Sequence, residues 1–130
     1  MNERLPKFKG DKLLAEIEKF TAGLTYVSET DVSVLPFSAT VVEVQKLIAE
    51  NRHYELSARD FFARLTTNRD WFGAKEKESA HRFAELEKLL DENLCDLKVF
   101  KVGRIQIDIF VVGLDANDSV IGIKTKAVET

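Results

Sequence analysis

Cysteine occurs once in the 130 residues, at Cys95, so the chain cannot close a disulfide on itself. A lone thiol fits a reducing compartment, and the cytoplasm is the expected location. No apolar run approaches the roughly 20 residues that a membrane helix needs, and the charged first 25 residues contain no signal-peptide core. Basic charge is not in excess: the net charge is −3 and the pI about 5.5, against the basic face of a dedicated nucleic-acid binder. Histidine appears twice, at His53 and His81, in no metal-ligand spacing. Gly-rich phosphate loops, G-x-S-x-G and C-x-x-C are all missing. With only 6 Gly and 2 Pro, there is also no repeat or low-complexity tract. These absences leave little for an enzyme to work with.

What is present is an ordinary globular composition, 45% hydrophobic and 32% charged. A chain of this length forms one domain, 1–130, that buries about two thirds of its unfolded surface without a staple. Residues 1–10, basic and carrying Pro6, read as a loose lead-in. Asp11 is placed to cap a helix whose apolar stripe is Leu13, Leu14, Ile17 and Phe20, with Gly23 as its stop. Thr25 to Phe37 mixes strand and turn formers, and Pro36 confines any strand there to an edge. Thr40 and Glu43 make a capping-box spacing ahead of a helix to about Asn51. Ser57 and Asp60 repeat that cap before a short helix bearing Phe61, Phe62 and Leu65. After a polar break at Thr66 to Phe72, Phe83, Leu86, Leu89, Leu90 and Leu94 mark a long helix over 75–94.

Beyond Cys95, which is read as a small core residue, the period changes to two. Strands are expected over Leu97–Val102, Ile105–Val112 and Val120–Val128, with a tight turn at Gly103-Arg104. Ile105, Ile107, Ile109 and Val111 share one face of the middle strand, while Phe110 and Val112 make the other face apolar too. A strand apolar on both faces asks for helices on both sides of its sheet. The expected fold is therefore α+β: a three-layer α/β/α sandwich, its largely antiparallel sheet ending in a three-strand meander.

Three features are left over for function. Ser28-Glu29-Thr30-Asp31 is an acidic turn after the first helix, which by itself reads as a polar loop. Asp70-Trp71 puts the single tryptophan in a polar stretch, where it either folds back into the core or anchors a partner. The last nine residues, Gly122 to Thr130, read G-I-K-T-K-A-V-E-T, with β-branched residues still present as the sequence stops. Glu129, Thr130 and the terminal carboxylate would gather hard oxygen donors on one tip. The alternative is a tail that loosens after Lys126. His81 sits in the long helix as a solvated side chain.

Together these stretches resemble the nuclease A inhibitor family. The likeness runs through Val27-Ser28-Glu29-Thr30-Asp31, Pro36-Phe37, Phe61-Phe62-Ala63-Arg64, Thr66-Thr67, Asp70-Trp71, Ile107 to Gly113, and the tip ending Val128-Glu129-Thr130. It covers most of the chain and is strongest from Phe61 onward. The resemblance implies an α/β/α sandwich that inhibits a Mg²⁺-dependent, sugar-nonspecific ββα-metal endonuclease. It further implies that Thr130 offers its hydroxyl to the metal of the bound nuclease. Glu29 would take the place of the scissile phosphate, with Asp70 and Trp71 as a second contact patch. A protein of this kind needs no cofactor, contacts neither nucleic acid nor membrane directly, and is expected as a monomer before binding. Two other readings stay open: a non-catalytic interaction module with a different partner, and a hydrolase built on His81 and neighbouring carboxylates.

Overall fold

Why the chain folds as it does is clearest at its helix starts. A computed structural model describes residues 10–129. Helix α1 spans Gly10–Thr21, so Asp11 lies inside its first turn rather than capping it. There it still faces the positive end of the helix dipole. Helix α2, Val41–Glu50, starts at the full capping box: the Thr40 hydroxyl accepts from the Glu43 N–H at 3.1 Å, and Glu43 accepts from the Thr40 N–H. Helix α3, Ala58–Thr66, is capped by Ser57, whose hydroxyl accepts the Asp60 N–H at 3.0 Å. Helix α4, Ala74–Asn93, carries the long apolar stripe, with Phe83, Leu86, Leu89 and Leu90 buried.

Strands β1 (Thr25–Val27) and β2 (Asp31–Ser33) form a short antiparallel ribbon. The remaining strands are β3 (Leu35–Ala39), β4 (His53–Ser57), β5 (Cys95–Gly103), β6 (Gln106–Leu114) and β7 (Val120–Val128). They make one antiparallel sheet in the order β3-β7-β6-β5-β4, with the last three strands as the expected meander. Pro36 does lie on an edge strand, β3, opposite Ile123 of β7. The other edge, β4, escapes the sequence pattern because His53, Tyr54 and Glu55 are all exposed and no alternation survives.

One face of the sheet is packed against α1, α3 and α4. Leu13, Ile17, Phe62, Leu86, Leu90, Ile109 and Val111 meet there with almost no exposure. Burying side chains of this size contributes about 1.5–3 kcal/mol each, the main term that holds the layers together. The opposite face carries Phe37, Phe100, Phe110 and Val112, against which α2 sets Val44, Leu47 and Ile48. Helices thus lie on both sides of the sheet, the three-layer arrangement expected. The two sides differ, however, since α2 buries none of its residues fully.

Three further sequence expectations need correction. Cys95 is exposed, because it opens β5 at a point where the register shifts before Lys98 and the strand has not yet entered the core. Ile105 is 59% exposed and sits in the turn, so only Ile107, Ile109 and Val111 face the core. The turn itself comprises Arg104-Ile105, one residue later than expected. Gly103 is needed before it: its φ is +116°, and a side chain there would strike the Gln106 carbonyl. Gly122 is required for a different reason, since a Cβ would collide with the carbonyl of Val111 on the neighbouring strand. No helix among the described residues is long and apolar enough to cross a membrane.

Candidate partner-binding site

The acidic turn and the end of β7 come together, through contacts that begin with strand pairing. Val27 pairs with Asp31, which leaves Ser28-Glu29-Thr30 as the turn of the β1–β2 ribbon. Within it the Ser28 N–H donates to the Thr30 carbonyl at 2.9 Å, and Glu29 is exposed at its apex. Strand β3 pairs with β7 only from Val120 to Lys124, so beyond that point β7 has a free flank. The ribbon occupies it. The Thr125 hydroxyl, buried, reaches the carbonyls of Ser33 at 3.1 Å and Val32 at 3.4 Å. At the far end the Val128 N–H donates to the Ser28 hydroxyl at 3.1 Å, across 100 positions of sequence.

Backbone alternation explains that last bond. The Glu129 N–H points inward along the sheet and donates to the Ile105 carbonyl at 2.9 Å. Its neighbour at Val128 must therefore point the other way, where only the ribbon can meet it. The tip does not loosen after Lys126; the chain is still bonded at Glu129. Thr130 lies outside the described residues.

Glu129 does not present its carboxylate outward with the other oxygen donors. Its Oε1 accepts from the Lys101 ammonium at 3.1 Å. Lys101 sits on β5 on the same face as Val99 and is buried, 7% exposed. Burial pushes its pKa down, but hydrogen bonds to Glu129 and Tyr54 outweigh that and hold it above the ordinary lysine value. The ammonium also lies 5.7 Å from the centre of the Tyr54 ring. Tyr26 closes the cluster from the ribbon; burial first, and Glu129 second, raise its phenol above the ordinary tyrosine value against the opposing pull of Lys101. Its ring stacks on Phe61 of α3 at 5.9 Å and 8°. The ribbon is thereby held to the helical layer as well as to the sheet.

Asp70 and Trp71 are built differently. Helix α3 ends with Thr66 and Thr67 donating their hydroxyls back to the Phe62 and Ala63 carbonyls at 2.8 and 2.6 Å. A turn closed by the Phe72 N–H on the Arg69 carbonyl then projects both residues to the surface. Trp71 is 72% exposed and touches Phe72 edge-on, ring centres 4.6 Å apart. It has not folded back into the core. None of the hydrogen bonds that tie the ribbon to the tip runs through this loop.

His81 and Glu85 pair one turn apart on an exposed stretch of α4. The next residue, Arg82, points the other way and donates to the Phe20 and Ala22 carbonyls, closing the C-terminal end of α1. Among the described residues no group of three or more His, Cys, Asp or Glu could hold a metal ion. Sequence reasoning passed over Ser28 and Lys101. The signal for Lys101 was available, since its parity with Val99 places a lysine on the core face of β5.

The profile of the family described as nuclease A inhibitor-like protein matches residues 11–130. The chain therefore belongs to the nuclease A inhibitor-like family. Comparison with curated proteins gives no match.

Proposed function

We propose that this protein inhibits a Mg²⁺-dependent, sugar-nonspecific ββα-metal endonuclease, entering its active site with the turn at Glu29 and the tip at Thr130. The observation that carries this reading is the bond from Val128 to Ser28. It holds the residue beside Glu29 against the end of β7, which supports a reading in which one cleft receives the turn and the tip. Family membership supports a nuclease as the partner.

Such an enzyme presents a positive, metal-bearing cleft to a polyanion, and an acidic surface can occupy it in the substrate's place. Glu29 stands in for the scissile phosphate: an anionic oxygen at the apex of an exposed turn. Thr130 supplies a hydroxyl, a hard oxygen donor suited to Mg²⁺, to the metal of the bound nuclease. Glu129 is engaged by Lys101; in this reading Thr130 captures the metal and Glu29 mimics the phosphate, the roles that the family resemblance implies. Asp70 and exposed Trp71 form the second patch, the aromatic supplying apolar contact that charges lack. The inhibitor works without catalysis, as a monomer in the cytoplasm, and contacts neither nucleic acid nor membrane.

The test is a titration of such a nuclease with the purified protein, reading DNA and RNA cleavage. Stoichiometric loss of both activities, relieved by excess nucleic acid, is expected. Full cleavage at saturating protein would leave the other reading, an interaction module with a different partner. That reading is favoured by no residue of its own.

A further inference from the structure

Lys101 is a buried charge that the proposed inhibition does not use. An ammonium taken out of water costs several kcal/mol unless it is paired and hydrogen-bonded. Here the core face of β5 could have carried another aliphatic residue, as it does at Val99. Its ion-pair partner among the described residues is Glu129, one residue past the last register pair of β6 and β7, Gln106 with Val128. Tyr54 on β4 and Tyr26 on the ribbon enclose the pair, so the lysine is reached from three neighbouring segments at once. The arrangement makes the compensation of Lys101 depend on the tip being in place.

We propose that Lys101 is a positioning residue: by drawing the Glu129 carboxylate inward it fixes the chain at Val128 and Glu129, the end of the surface offered to the partner. The idea rests on the inhibitor reading for its consequence, but the lock can be detected without any nuclease. A tip that swings freely would have to be ordered on binding, and fixing it beforehand removes that cost. The Glu129 N–H bond to Ile105 and the Val128 N–H bond to Ser28 are the two reporters of its order.

Two readouts on Lys101→Met and Glu129→Gln test it: amide hydrogen exchange at Val128 and Glu129, and inhibition of a ββα-metal nuclease. Each variant should speed exchange at both amides by about tenfold or more, leave the central amides of β6 protected, and weaken inhibition about tenfold. The two changes should not add, because each breaks the same pair. If Lys101→Met disturbs the whole fold, Glu129→Gln, at a half-exposed position, carries the same comparison alone. Unchanged exchange at Val128 and Glu129 overturns the lock. So does unchanged inhibition by the variants alongside inhibition by the wild-type protein. If the wild-type protein inhibits nothing, the inhibitor reading fails by itself, and the exchange rates then decide the lock.

Discussion

The tip of β7 and the Asp70-Trp71 loop are proposed to meet one partner, yet they are made in opposite ways. Around the tip, a buried lysine, a serine hydroxyl and two backbone amides each hold a defined place. The loop shows a tryptophan whose ring contact is its own neighbour, Phe72. On the proposed reading, the difference is one of division of labour. A group that must meet a metal gains from being fixed beforehand, because misplacement of a single ligand oxygen is costly. An apolar anchor gains most from area, and a large rigid ring offers it with few rotamers to freeze.

The comparison can be broken at several points. If the patches bind as independent surfaces, Glu29→Ala and Trp71→Ala should each weaken inhibition by about 2 kcal/mol or more, and the double variant by about the sum. Isothermal titration against the nuclease measures all three; a double variant no worse than one single would mean that the patches act as a unit. Neither change should move thermal stability much, since both side chains are exposed.

Smaller effects separate positioning from contact. Ser28→Ala removes the acceptor of the Val128 N–H and should cost about 1 kcal/mol of inhibition, with faster exchange at Val128. Equal loss with unchanged exchange would make Ser28 a contact of the partner instead. The smallest effect concerns pH. Both Lys101 and Tyr26 hold their protons more tightly folded than unfolded. Their contributions to stability are therefore complete below the ordinary lysine and tyrosine values and fade as pH rises through the higher folded ones. Denaturation midpoints should be flat in this respect from pH 7 to about 9 and fall above about 10. Lys101→Met should flatten that alkaline fall, and a fall of the same steepness would place its origin elsewhere.

The elements visible in the sequence were those that announce themselves locally. Thr40 with Glu43 and Ser57 with Asp60 mark helix starts because a cap is made within four residues. Strand β7 was legible from end to end because Ile121, Ile123, Thr125 and Ala127 alternate onto one buried face. Strand β4 was not, since His53, Tyr54 and Glu55 are exposed on both of its faces and no period of two survives. Cys95 misled for a related reason: its small apolar side chain fits a core, but the register shift behind it decides its exposure. At the site, the residue types of Glu29 and Trp71 were visible, and their exposure was not. That Ser28 would meet Val128 depends on where β3 leaves the flank of β7, a property of the assembled sheet.

The central claim is that the end of β7 enters a nuclease active site with the Thr130 hydroxyl on its metal. The most direct measurement is the inhibition constant of Thr130→Val, and of the chain shortened by Thr130, beside that of the unaltered protein at fixed Mg²⁺. A loss of about 2 kcal/mol or more for both, with thermal stability unchanged, is the result predicted. Inhibition of undiminished strength by either variant would contradict it.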